Sequence, residues 1–277
     1  VQQPLNGNGE TKSLEQFNRS LHFGQFTPRF SMQYLSSHNQ LFYASVSKGY
    51  KAGGFNVSFL NNDDYLYSPG YNWNYEISTT LSLLNNRLSA DLSLFYIDWR
   101  NQQITNTIPT VGNVIRNAGR SRNKGIEASF QARPTKSWMM YMNYGYTDAR
   151  FVHYQKEERG ILKDYEGNYL PMVPRHTFSL TTGYSFYDIC SWIDRLTLNA
   201  GVSVTGPIYW YEDNQAKQSP YALVNLRISI NKGCFTWEAW SKNLTNTDYL
   251  SYYFVTSKAY AQKGKPITLG TSVSISL

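Results

Sequence analysis

The chain has 277 residues, of which 41% are apolar, 16% charged and 16% aromatic, with 23 tyrosines. It carries less charge than the roughly 25% of an average soluble domain, yet its mean hydropathy is −0.48. Its aromatic content excludes disorder, and the lack of any apolar run of about 18 residues excludes a transmembrane helix. The net charge of +7 is scattered without a basic run, which argues against nucleic acid and leaves a solvated basic surface or an anionic partner.

Taken in chain order, the segments 30–36, 40–50, 75–83, 88–103, 125–132, 137–150, 177–186, 195–204, 222–230, 234–243 and 267–277 alternate apolar with polar residues. That period predicts strands. In 75–83, Tyr75, Ile77, Thr79, Leu81 and Leu83 share one face, against Glu76, Ser78, Thr80 and Ser82. In 195–204, Leu196, Leu198, Ala200, Val202 and Val204 do the same. The segments 30–36, 40–50, 88–103, 137–150 and 234–243 alternate less cleanly and carry more aromatics. The reading is all-β: about eleven antiparallel strands of roughly 8–14 residues, with a twelfth conceivable in 14–25.

The links alternate in length. Short ones at 37–39, 85–87, 134–137, 187–193 and 231–233 separate long ones at about 51–72, 104–121, 151–173, 206–219 and 244–266. A transmembrane β-barrel has this asymmetry, with short periplasmic turns and long extracellular loops. Tyrosine and tryptophan near strand ends (Tyr71, Trp73, Trp138, Tyr209 to Tyr211, Tyr249, Tyr252, Tyr253) fit an aromatic girdle. The competing reading is a Tyr-rich soluble β-protein, which has no reason to keep every second link long. Cys190 and Cys234 fall at periplasmic turns two strand spacings apart, about 9–10 Å. That is too far for a bridge, so two inert thiols are expected.

Several segments in order resemble TonB-dependent outer-membrane receptors. LFYASVSKGYKAGGFN (41–56) resembles the family's strand-and-loop signature, and NAGRSRNKGIEASF (117–130) an entry into a barrel strand. PRHTFSLTTGY (174–184), YALVNLRIS (221–229), WEAWSKNLTNTDY (237–249) and GKPITLGTSVSISL (264–277) follow in the family's order. The resemblance implies that 26–277 is the C-terminal portion of a barrel of about 22 strands, with 1–25 a loop or strand remnant. It implies an outer-membrane location in a Gram-negative bacterium. The implied partners are an N-terminal plug domain and the remaining barrel strands, neither of them in this chain, the TonB complex acting through the plug, outer-membrane lipid, and a small-molecule ligand such as an iron complex. Leu277 stands where the family usually ends in an aromatic.

No pattern for a metal centre, a nucleophile elbow or a phosphate loop occurs, so neither enzyme nor cofactor is expected. His176 and Ser179 lie three apart on a strand and point to opposite faces. The charges Glu76, Glu127, Arg195, Arg227, Glu238 and Lys242 fall on polar rows and are expected in the lumen. The ligand-binding candidates lie in the long loops: Lys51, Tyr65, Tyr67, Arg116, Arg120, Tyr209, Trp210, Tyr211, Tyr252 and Tyr253. An aromatic and basic mouth suits an anionic ligand such as a ferric siderophore, through cation–π and charge-assisted contacts. The alternatives are a self-contained small barrel acting as a passive channel and an outer-membrane hydrolase.

Overall fold

The computed structural model describes residues 20–276, apart from 38–39, 60–61, 109–110, 159–160 and 256–257. Eleven strands form one antiparallel sheet in strict sequence order. They are β1 (Arg29–Leu35), β2 (Leu41–Lys51), β3 (Gly70–Leu83), β4 (Leu88–Ile108), β5 (Gly112–Ala132) and β6 (Trp138–His153). The rest are β7 (His176–Cys190), β8 (Ile193–Thr205), β9 (Tyr221–Lys232), β10 (Phe235–Lys242) and β11 (Thr268–Ile275). Every strand expected from the alternation is present. Among the described residues 20–25 there is no twelfth, and 14–19 lie outside the description.

Register fixes the two faces, because cross-strand partners point the same way. Ala44 pairs with Ile77, Ile77 with Leu94, and Leu94 with Ile126. Farther along, Leu180 pairs with Val202, and Val202 with Val224. This apolar face stays open: Ile77 is 65% exposed, Leu94 54% and Val273 67%. Apolar side chains uncovered over a whole sheet have lipid, not water, as their natural solvent. The opposite face is polar. Glu76 lies opposite Ser45, Ser93 opposite Glu127, and Arg227 opposite Asn199, so the charges expected in the lumen lie on that side. At Gly125, on the polar face, an added Cβ would meet the Tyr146 carbonyl oxygen at 2.1 Å, so only glycine fits.

One end of the sheet has tight turns. Leu84, Asn85 and Asn86 take positive φ values of 52°, 56° and 64°, and Gly233 one of 52°. The Asp194 carboxylate accepts hydrogen bonds from the Gly233 amide and the Lys232 ammonium, each at 2.7 Å, tying neighbouring turns together. The exposed thiols Cys190 and Cys234 are free and sit at this end. The other end carries the long links, which form small hairpins at 54–55/66–67, 155–158/161–164, 208–209/217–218 and 250–255/259–263. The expected loop 104–121 is a correction: β4 and β5 continue through it as paired strands up to Ile108 and Gly112. The sheet is open among the described residues, with β1 and β11 each paired on one side only, as befits part of a larger barrel.

Candidate functional site

The end with the long links carries most of the expected site residues, and there they fall in two bodies. The first joins the link after β2 to the arm of β4–β5. β6 pairs with β5 only as far as Arg120, so the β5 edge beyond it has no strand neighbour. Asn56 takes that place. Its side chain accepts from the Ile115 amide and donates to the Ile115 carbonyl, each at 2.8 Å, and donates to the Asp64 carbonyl at 2.6 Å. Beside it the Arg116 guanidinium forks onto the Asp64 carboxylate at 2.6 and 2.5 Å. The Asp64 hydrogen bonds hold Arg116 above its ordinary pKa against burial. Arg116 is thus committed to the fold. Tyr65 packs with Phe55 and Phe59 at 5.2 Å. Tyr67 lies against Gly54, and Lys51 ends β2, exposed, on the polar face.

The second body joins the links after β6, β8 and β10. The segment 165–170 returns alongside β6, with Gly167 donating to the Phe151 carbonyl and Leu170 to that of Ala149. Phe151, Tyr154, Tyr165 and Leu170 bury each other there. Asn168 then donates to the Glu212 carbonyl, and Asn214 exchanges two hydrogen bonds with the Tyr169 backbone. Gln218 accepts from the Leu250 amide at 2.8 Å, and the Tyr211 hydroxyl from that of Val255 at 2.6 Å. Burial pushes the Tyr211 phenol above its ordinary pKa.

This second body assembles an aromatic cluster. Trp210 is 6% exposed and lies 6.4 Å from both Tyr252 and Tyr253, with Tyr211 6.2 Å from Tyr253. Tyr252 remains 42% exposed and leads to Phe254 and Tyr260, whose rings stack at 5.1 Å. Tyr209 stands apart, stacked on Tyr169 at 5.5 Å, while Arg150 and Arg175 lie 4.0 and 4.9 Å from the Tyr169 ring. Sequence reading missed Tyr169, Arg150 and Arg175. Their only signal was an aromatic and two arginines far apart in one stretch. Arg120 is not in the mouth: it pairs with Asp98 at 2.5 Å on the apolar side of the sheet, beyond the apolar band. Of the expected mouth, Trp210, Tyr211, Tyr252 and Tyr253 are therefore gathered in one place, while Tyr65 and Tyr67 lie in the first body, Tyr209 stands apart and the basic residues are dispersed. Among the described residues no group of three or more His, Cys, Asp or Glu could hold a metal.

A family model described as TonB dependent receptor-like, beta-barrel matches residues 3–246. The pesticin receptor of Yersinia pestis is 25% identical over 262 residues, covering 91% of this chain and 36% of that protein. A probable TonB-dependent siderophore receptor, PiuA of Acinetobacter baumannii, is 24% identical over 81% of this chain and 30% of its own length. The crystal structure of the ferric yersiniabactin uptake receptor FyuA from Yersinia pestis superposes with a TM-score of 0.75 at 22% identity, over 89% of this chain and 36% of that one. The chain thus spans about a third of the length of these relatives.

Proposed function

Since the chain belongs to the TonB-dependent receptor β-barrel family and lies in the outer membrane of a Gram-negative bacterium, we propose that it is the C-terminal half of a barrel that captures a ferric siderophore. Residues 26–277 are the barrel portion under this reading. The partners under this reading are a plug domain, the barrel strands that pair with β1 and β11, and the TonB complex acting through the plug. The relatives are transport receptors and not enzymes. This chain's part is to seal a wall and to present ligand-binding loops, without covalent chemistry.

The observation that carries this reading is the Trp210 cluster, held by three interlocked loops and leaving the Tyr252 ring exposed. Exposed aromatic faces suit a ferric complex with aromatic or delocalised ligands. A passive channel is not favoured, because the relatives named above are receptors. The test uses the whole receptor purified from outer membranes, with tryptophan quenching by catecholate, hydroxamate and phenolate ferric siderophores. One class is expected to bind, and Tyr252→Ala to weaken it about tenfold without changing barrel melting. If all classes fail to quench and the reconstituted protein passes small sugars, the passive channel is the correct account.

A further inference from the structure

The apolar face changes character abruptly toward the extracellular end. Its row Ala44–Ile77–Leu94–Ile126 is followed by Val46–Tyr75–Tyr96–Lys124–Asp148 and then by Lys48–Trp73–Asp98–Arg122–Arg150, each aligned strand to strand. A strand crosses the hydrocarbon in about 9–11 residues, and β4 runs from Leu88 at its turn to Asp98 in that span. The charged row therefore stands at the level of the outer-leaflet headgroups, on the outside of the wall.

Charge there is unbalanced. Arg100 and Arg120 share Asp98, at 3.3 and 2.5 Å, and Arg150 and Lys124 share Asp148, at 2.8 and 4.0 Å. Arg122 stands between the two clusters. No ion pair involves it among the described residues, and its buried Nε has no hydrogen-bond partner. On β4 to β6 five cations thus face two carboxylates. The patch is also one-sided: on β8 to β11 the same face ends in Val204, Ala222, Ser241 and Leu269, all uncharged. A basic surface made only for solubility would not stop at one half of a sheet. Nor does a guanidinium without a carboxylate partner belong beside lipid unless an anion comes from the lipid.

We propose that this patch on β4 to β6 binds the phosphate groups of anionic lipid in the outer leaflet, with Arg122 and Lys124 as the principal donors. Forked guanidinium contacts to phosphate oxygens supply the geometry, and the Tyr75–Tyr96 pair, 6.1 Å apart, marks the depth at which acyl chains begin.

The test places the whole receptor in nanodiscs of phosphatidylcholine doped with a bisphosphorylated glucosamine lipid, and counts retained lipid by native mass spectrometry. The wild type should keep the phosphorylated lipid over phosphatidylcholine. At about 1 kcal/mol per interfacial cation, the double variant Arg122→Gln/Lys124→Gln should bind it about 30-fold more weakly. Lys232→Gln, which removes a cation at the opposite end of the strands, should bind as the wild type does. Unchanged heat-modifiability on gels establishes that each variant is folded. Equal retention by the double variant, an equal loss in Lys232→Gln, or no preference over phosphatidylcholine in the wild type would each overturn the proposal.

Discussion

Replacing Asn56 by alanine should release the link after β2 from the β4–β5 arm while leaving the barrel wall intact. Asn56 is 5% exposed and makes three hydrogen bonds, two of them to the amide and carbonyl of Ile115. Alanine leaves those groups and the Asp64 carbonyl without partners, at about 1–3 kcal/mol for each that stays buried. Water reaches some of them once the link loosens, so the total is about 3 kcal/mol. That corresponds to an opening equilibrium about 150-fold larger. Hydrogen exchange by mass spectrometry on peptides covering 54–67 and 113–117 would read it directly, with peptides from β7 and β8 as the unaffected reference. Arg116→Lys keeps the charge but loses the fork onto Asp64, and should raise exchange by a smaller factor, about five- to tenfold. Exchange at Ile115 within about threefold of the wild type in Asn56→Ala would refute the account of Asn56 as a substitute strand.

Two further outcomes test the fold and the loops. Leu94→Arg, in the middle of the lipid-facing row, should cost about 2–4 kcal/mol in urea-driven unfolding from vesicles, while Ser93→Arg on the polar face should cost less than about 1 kcal/mol; equal costs would mean the faces are assigned the wrong way round. The Asp164 carboxyl is held below its ordinary 3.8 by the Glu166 amide and then by the Gln155 side chain, so its contribution to the 155–164 hairpin is complete above the ordinary value and is lost as pH falls through the lowered one; a carboxyl-carbon titration with its midpoint at or above the ordinary value would contradict this.

The strands were legible where one face meets lipid and the other water, because that contrast imposes a period of two. The signal ends where the contrast ends. Beyond the membrane both faces of β4 and β5 are wet, so 104–121 reads as a polar loop although Ile104 to Ile108 and Gly112 to Ala118 are paired strand. The same limit hid the destinations of the arginines. Nothing in the neighbourhood of Arg116 names Asp64, 52 residues away, and nothing near Arg120 says whether its side chain faces the mouth or the lipid. The aromatic cluster was half visible: Trp210, Tyr252 and Tyr253 stood out by residue type. Their meeting depends on Gln218 and Tyr211 reaching across to the backbone at Leu250 and Val255.

Those cross-loop bonds have an evolutionary consequence. Asn168, Asn214, Gln218 and Tyr211 each satisfy the backbone of a loop other than their own, at Glu212, Tyr169, Leu250 and Val255. A drifting segment 206–220 would therefore strand polar groups in both of its neighbours. The three loops should therefore change together: a graft of 154–175, 206–220 and 243–267 as one unit is expected to keep these hydrogen bonds in another barrel, and a graft of any one alone to leave a crown that no longer fits itself.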